Sequence, residues 1–215
     1  MPVKRKKKSR AEQAKSDFAN LTSHQLRTPL SGMKWLLELL QKSETGTLNK
    51  KQKEFVEKIY TSNERMIALV NDLLEVTRIE EGTTKLYFQP TDLAAVIQGL
   101  VKEKEREIKK KRLQISMTIE QEPFLSVRTE PNKIKQAAGN IISNAVAFTP
   151  EGGKIAIDLR REGNEVLVSV ADSGIGIPAD QQSHIFERFY RGTNIRALET
   201  TGTGLGLYIA KAFVE

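Results

Sequence analysis

The hydrophobic period of this chain changes near residue 84, and that change constrains the fold more than any other feature. Before it, apolar residues recur at three- and four-residue steps, as in the run from Phe18 through Leu26 to Leu37. That spacing is typical of amphipathic helices. After it, short stretches alternate apolar and polar residues, as half-buried strands do. The sequence therefore predicts two domains, with a boundary between Gly82 and Lys85.

The first domain, over residues 9–82, is predicted to be a helical hairpin. Its two helical runs are separated by the turn-rich stretch SETGTLN at 43–49. Both runs carry an apolar stripe, and one hairpin alone leaves part of each stripe exposed. Two hairpins bury the stripes as a four-helix bundle. We therefore expect a homodimer, and packing against the second domain is the alternative.

Composition excludes several classes of protein. The chain has no cysteine, which rules out disulfides and cysteine-ligated metals, and no apolar run approaches the roughly 18 residues of a membrane span. Part of its net charge of +7 lies in the run Lys4 to Lys8. We interpret residues 1–8 as a basic linker. A nucleic-acid partner is not expected, because the run has no interleaved aromatic residues.

The second domain, over residues 83–215, mixes strands and helices and is predicted to be an α+β layered sandwich. Strands are expected at 85–90, 113–120 and 124–128, and a helix at 131–148. Residues 153–174 read as two strands around a turn at Gly163 and Asn164, and a last helix follows from 204.

Two glycine-rich loops suggest a ligand site in the second domain. Asp172 opens DSGIGIP at a strand end, where its carboxylate suits the exocyclic amine of a base such as adenine. A simple strand-exit turn is the alternative. TGTGLGLYIAK places glycines at a helix start, where free N–H groups and the helix dipole favour an anion. Asn140 and Asn144 lie four apart on one helix face, and a carboxamide oxygen suits Mg²⁺.

One of the two histidines, His24, lies at the start of the apolar helical run SHQLRTPLSGMKWLLELL, with Pro29 inside the same run. Proline forfeits a helical hydrogen bond, which allows the helix to bend beside the histidine. Taken alone, His24 reads as a surface histidine without a task.

The order of these motifs, followed by IFERFYR and GTGLG, closely resembles a two-component sensor histidine kinase. The resemblance covers nearly the whole chain. It implies a dimeric helical phosphoacceptor domain, a Bergerat-type ATP-binding domain, and ATP with Mg²⁺ as cofactors. His24 then corresponds to the phosphorylated histidine, and Thr28 to the position linked to phosphatase activity. The mobile lid over ATP corresponds to 192–203, and His184 is interpreted as a surface or packing residue.

The resemblance also assigns the nucleotide site. Asn144 corresponds to the Mg²⁺ ligand with Asn140 near the phosphates, Asp172 to the adenine-amine acceptor, and Arg191 to a phosphate contact. The remaining positions that it assigns to ATP binding are Phe148, Gly174, Gly176, Ile177, Gly202, Thr203, Gly204, Leu205, Gly206 and Leu207.

Three departures from the family pattern bear on activity. Gln25 replaces the usual acid after the phosphoacceptor and cannot take the imidazole proton. Ala147 replaces a phosphate-binding lysine, for which Lys133, Lys135, Arg188 and Arg191 are the candidate substitutes. The sequence ends at Glu215, where the family continues with closing strands, so we expect a truncated domain with an open sheet edge.

The leading hypothesis is ATP-dependent autophosphorylation of His24, followed by phosphoryl transfer to an Asp of a response-regulator receiver domain. The alternative, favoured by Gln25 and Ala147, is a nucleotide-binding module that acts mainly as a phosphatase through Thr28. An ATPase resembling gyrase is disfavoured, because Asn140 stands where those enzymes have a catalytic Glu. The expected location is the cytoplasm, with membrane contact only through upstream segments of a larger sensor.

Overall fold

The computed structural model describes residues 10–42, 46–120, 126–196 and 202–215, and side chains from Gln25 onward except that of Arg196. The chain forms two compact units, Met1–Thr84 and Lys85–Glu215. A helical unit followed by an α/β unit confirms the predicted fold class. The basic run Lys4 to Lys8 lies outside the described residues. Within the described ranges, none of the helices is both long and apolar enough to cross a bilayer.

The first unit is a hairpin of two long helices, α1 (Arg10–Gln41) and α2 (Lys50–Glu80). Helix α2 begins at a capping box, in which Asn49 Oδ1 accepts from Gln52 N and Gln52 Oε1 accepts from Asn49 N, both at 2.9 Å. The pair satisfies two backbone donors that the first helical turn leaves open. Helix α1 runs through Pro29 without interruption, so the proline does not end it.

The hairpin buries one side of its helices and exposes another. Leu30 and Leu37 on α1 and Val56, Val70 and Leu74 on α2 are buried. Neighbouring positions on the same helices expose large apolar side chains, namely Leu26, Met33, Leu36, Phe55, Ile59, Met66, Leu69 and Leu73. The hairpin thus buries the apolar residues between α1 and α2 and leaves a second apolar stripe exposed to solvent.

The second unit has five strands and five α-helices among its described residues. In chain order they are β1 (Gln89–Asp92), α3 (Leu93–Glu103), α4 (Glu105–Lys110), β2 (Gln114–Ile119), β3 (Ser126–Thr129), α5 (Pro131–Phe148), β4 (Lys154–Glu162), β5 (Glu165–Asp172), a 3₁₀ helix (Ala179–His184), α6 (Thr193–Arg196) and α7 (Gly206–Val214).

Strands β2, β4 and β5 form one sheet in that order, and β1 pairs with β3 separately. Strand β4 is parallel to β2 and antiparallel to β5. The pair Glu162–Glu165 closes the β4–β5 hairpin, and the predicted turn at Gly163 and Asn164 joins the strands. Gly163 has φ = 63°, a conformation that favours glycine.

The core lies between this sheet and helices α3 and α5. Ile155, Ile157 and Leu159 alternate along β4 and are at most 2% exposed. They share one buried cluster with Ile97 of α3 and Val146 of α5. Helix α7 also packs on α5. Helix α5 therefore contacts both α3 of the core and α7, which begins in the second glycine loop.

One sequence-based assignment was wrong, and helices α3 and α4 were not predicted. Residues 85–88 were predicted as strand, but β1 begins at Gln89, which pairs with Thr129. The partner strand ends there, because Glu130 begins α5 as its N-cap, so no strand is available for residues 85–88 to pair with. Helix α3 was missed, although Asp92 caps it through Ala95 N at 3.0 Å. The predicted strand 124–128 lies partly outside the described residues.

Candidate functional site

A cavity of about 250 Å³ lies beside α5 in the second unit. Its walls come from four segments: helix α5, the end of β5 with the loop after it, residues 185–195, and the start of α7. The lining residues are Ile141, Asn144, Ala145, Phe148, Val170, Asp172, Ile175, Gly176, Ile177, Ile185, Tyr190, Arg191, Gly192, Asn194, Ile195 and Leu207. Apolar walls with a few polar groups suit a flat heteroaromatic ring carrying a charged tail.

Asp172 presents the one carboxylate among these lining residues. It is the last residue of β5, and its Oδ1 accepts from Gly174 N at 2.8 Å. Gly174 has no room for a side chain, since a Cβ there would lie 2.7 Å from Phe148 O. The turn is therefore held tightly against the end of α5. The carboxylate keeps further acceptor positions for a ligand amine.

Helix α5 contributes Asn144 and Phe148, which lie one turn apart and both line the cavity. Asn140, one turn earlier, was predicted to lie on the same helix face as Asn144, near the phosphates. Its side chain donates from Nδ2 to Gly206 O at 2.9 Å, at the first residue of α7. Asn140 lines a different cavity, between α3 and α5. Asn140 is thus hydrogen-bonded to the end of the second glycine loop.

The second glycine loop depends on close backbone approach. Gly204 has φ = 74°, and a Cβ there would lie 2.7 Å from Phe189 C. Leu205 is fully buried, and Thr203 Oγ1 accepts from Leu205 N at 3.2 Å. Leu207 reaches the cavity, whereas Gly202 has open space around it. A side chain at position 204 would force this loop away from the IFERFYR segment.

The segment predicted as a lid is described only in part. It begins with the short helix α6, and residues 197–201 lie outside the described residues. Asn194 Nδ2 donates to Gly176 O at 3.0 Å, which joins α6 to the first glycine loop. Thr193 and Gln181 exchange two hydrogen bonds of 2.8 and 3.0 Å. Sequence reasoning missed these ties, because nothing in the spacing brings residues 176, 181 and 194 together.

The backbone of His24 lies within α1, and its side chain is outside the described part of the chain. Gln25 and Thr28, which follow it, are exposed. Two side-chain contacts join this stretch to α2: Arg27 donates to Asn71 Oδ1 at 2.8 Å, and Asn63 donates to Leu30 O at 2.9 Å. Neither contact was predicted, because each joins helices whose relative register the sequence does not reveal.

Comparison with known proteins assigns both units. Residues 14–82 match the family model of the His kinase A (phospho-acceptor) domain. Residues 129–215 match that of the histidine kinase-, DNA gyrase B- and HSP90-like ATPases. The chain belongs to the two-component histidine kinases and carries their catalytic core. The phosphoacceptor match separates it from the gyrase and HSP90 branches of the ATPase family.

Curated relatives agree with this family. The chain is 32% identical over 207 residues to the circadian input-output histidine kinase CikA of Synechococcus elongatus, covering 95% of this chain and 27% of CikA. It is 32% identical over 205 residues to the sensor-like histidine kinase SenX3 of Mycolicibacterium smegmatis, covering 94% and 52%. The chain thus spans about half or less of the length of these relatives.

Solved structures agree on the fold. Full-length ShkA in complex with AMPPNP matches with a TM-score of 0.72 and 27% identity over 92% of this chain and 40% of ShkA. The catalytic domain of the histidine kinase ThkA matches with a TM-score of 0.53 and 32% identity, over 60% of this chain and 80% of that domain. ThkA in complex with the response regulator TrrA is similar in fold, with a TM-score of 0.55 and 23% identity over 83% of this chain and 52% of that one.

Ala147, which stands where the resemblance predicts a phosphate-binding lysine, is exposed. Of the four candidate substitutes, only Arg191 lines the cavity. Lys135 Nζ pairs with Glu103 at 2.8 Å, Lys133 lies over the Phe213 ring at 4.8 Å, and Arg188 over the Tyr208 ring at 5.9 Å. Arg191 is therefore the one of these four cations that reaches the candidate nucleotide cavity.

The cavity's donor set fits Mg²⁺ only as part of a nucleotide complex. Asn144 offers one amide oxygen to the cavity, and the described residues contain no cluster of three or more His, Cys, Asp or Glu side chains. Mg²⁺ is commonly held by one or two protein oxygens together with substrate phosphates and waters. His184, the second histidine, is exposed and lies 2.7 Å from Glu187 Oε1, away from the cavity lining.

Proposed function

We propose that this chain autophosphorylates His24 from ATP and passes the phosphoryl group to an Asp on a response-regulator receiver domain. The observation that carries the proposal is a base-sized cavity with Asp172 and Asn144 in a chain that also has the histidine box. The names of the kinase relatives, and the ThkA–TrrA complex, support the same reaction and partner class.

In this proposal the cavity recognises ATP from the base to the phosphates. Asp172 accepts from the adenine amine, and Phe148, Ile175 and Ile177 cover the ring. Asn144 would hold Mg²⁺, which neutralises phosphate charge during transfer. Arg191 approaches the phosphates in place of the family lysine. The glycines of the two loops allow backbone N–H groups close to the nucleotide.

The hairpin supplies the nucleophile. A neutral imidazole nitrogen of His24 attacks the γ-phosphorus, the bond to the bridging oxygen breaks, and ADP leaves. The imidazole proton departs to water or phosphate, because the Gln25 amide cannot accept it. We further propose that the chain is a homodimer through the stripe that α1 and α2 leave exposed, which supports the predicted four-helix bundle.

A second candidate is a nucleotide-binding module that mainly dephosphorylates a receiver through Thr28. The observations that favour it are Gln25 and Ala147, which remove a base and a phosphate contact. Thr28 is exposed on α1, one helical turn after His24, as that role requires.

Incubation with γ-labelled ATP and Mg²⁺ separates the two candidates. A kinase yields acid-labile, base-stable label that disappears in His24→Gln, while nucleotide affinity in that variant stays unchanged. Nucleotide binding without label on the wild-type chain would favour the phosphatase candidate. Absence of nucleotide binding would contradict both.

A further inference from the structure

The last backbone carbonyls of α5 receive their hydrogen bonds from outside the helix. A helix leaves its last carbonyls without intrahelical donors. Thr149 satisfies one of them, since its N and Oγ1 donate to Ala145 O at 3.1 and 2.6 Å. Pro150 has no N–H, so it cannot supply the donor that Val146 O would otherwise receive. The carbonyls of Val146 and Ala147 therefore need donors from outside the helix.

Lys111 supplies these donors. Its Nζ donates to Val146 O at 2.8 Å, Ala147 O at 2.7 Å and Thr149 O at 2.9 Å. These are the three hydrogens of one ammonium group. The positive charge also lies at the negative end of the helix dipole. The side chain is only partly exposed, and Lys111 O accepts from Gly152 N at 2.9 Å.

The turn that Lys111 holds is a wall of the candidate nucleotide site. Phe148 is the last residue of α5 and lines the cavity. Phe148 O lies so close to Gly174 that a Cβ there would be 2.7 Å away. Gly174 N in turn donates to Asp172 Oδ1. A contiguous set of contacts thus runs from the Lys111 ammonium through the end of α5 to the Asp172 carboxylate.

We infer that Lys111 is a positioning residue that sets the base-binding end of the nucleotide site. It fixes the position of Phe148 relative to the turn that follows Asp172, and it does so without contacting the nucleotide. The inference rests on the proposed ATP site. Lys111 does not replace the missing family lysine, because its three hydrogens are used by backbone carbonyls.

The test compares Lys111→Met with Lys110→Met in the full chain. Methionine keeps most of the side-chain volume and removes the charge and donors. Lys110 is the exposed residue before it and makes a matched control. Affinities for ADP with Mg²⁺ and for adenosine are measured by competition against a fluorescent ATP analogue, well below the unfolding temperature of each variant.

We expect Lys111→Met to lower the affinities for ADP and for adenosine by the same factor, about five- to tenfold. Lys110→Met should leave both affinities unchanged. Lys111→Arg, which keeps the charge and several donors, should retain most of the wild-type affinity for both ligands. A purely structural cap would lower the unfolding temperature of Lys111→Met and leave both affinities intact, which overturns the inference. A loss confined to ADP would also overturn it, since Lys111 would then act on phosphates.

If Lys111→Met does not fold, Lys111→Gln takes its place, because an amide keeps two donors without the charge. Failure of both variants to fold would make Lys111 a folding residue and overturn the inference. Failure of the wild-type chain to bind either ligand would instead contradict the proposed function, so the two failures are distinguishable.

Discussion

The helical hairpin and the ATPase unit bury their apolar residues to very different degrees. In the hairpin, Phe55, Ile59 and Met66 are 50, 54 and 44% exposed along one stripe of α2. In the ATPase unit, Ile155 and Leu159 on the central strand are 1 and 0% exposed. The second unit encloses its own core between a sheet and helices. The hairpin has only two helices and cannot enclose both of its apolar faces.

This difference in burial predicts that the hairpin needs a partner to bury its exposed stripe, whereas the ATPase unit does not. Fully burying one large apolar side chain contributes about 1.5–3 kcal/mol. Burying a stripe of such residues therefore favours association with a second copy of the hairpin. The ATPase unit has its core already and leaves a cavity open for a ligand. Changes in the hairpin should alter assembly and phosphoryl transfer, and changes in the ATPase unit should alter nucleotide affinity.

The largest effect is expected for Met66→Glu in the exposed stripe. A charge buried at both copies of a symmetric interface should weaken dimerisation about a hundredfold or more. Light scattering across a concentration series measures this loss. Ala68→Glu is the control, because Ala68 is also exposed but lies off the stripe. Equal dimerisation of Met66→Glu and the wild-type chain would show that the stripe is not the interface.

Asp172→Asn should weaken nucleotide binding by about ten- to a hundredfold, the equivalent of one hydrogen bond to a charged group. The amide can turn a donor toward the adenine amine, and it weakens the acceptor for Gly174 N. Calorimetry with ADP and Mg²⁺ measures the change, and the dimer should be unaffected. Unchanged affinity would remove Asp172 from the base site.

Gln25→Glu should raise the rate of autophosphorylation about tenfold by supplying a general base. Affinity for ATP should stay the same, because residue 25 belongs to the hairpin and the cavity to the other unit. Single-turnover labelling at saturating ATP compares the two proteins. An unchanged rate would mean that proton removal is not limiting, and the alanine at 147 would become the better explanation of slow transfer.

The smallest expected effect concerns Asn63, a polar residue 2% exposed between α1 and α2. Its Nδ2 donates to Leu30 O, but its Oδ1 has no partner among the described residues. Replacing it by leucine should raise the free energy of unfolding of the hairpin by about 1 kcal/mol, because an unpaired buried oxygen is removed. Urea unfolding followed by circular dichroism tests this. A less stable variant would indicate that a second copy satisfies Oδ1.

Elements with strong local signals were predictable. Helix α5 was predicted to its bounds, since Pro131 favours a first helical position and the apolar period continues to Phe148. The β4–β5 hairpin followed from alternation around Gly163. Helix α3 was missed, although its cap and period are present in the sequence. Residues 85–88 were mistaken for strand, because β-propensity does not reveal whether a partner strand exists.

The sequence by itself determined the two units, the glycine loops and the residue types at the histidine and nucleotide motifs. Those features depend on local period, on turn chemistry and on residue identity, all of which are written along the chain. Only the tertiary structure decided that Asn140 holds Gly206 while Asn144 faces the cavity, and that Lys111 caps α5 from 35 residues away. Such contacts join residues that are distant in sequence, and a hydrogen bond depends on distances of a few tenths of an ångström that spacing does not encode.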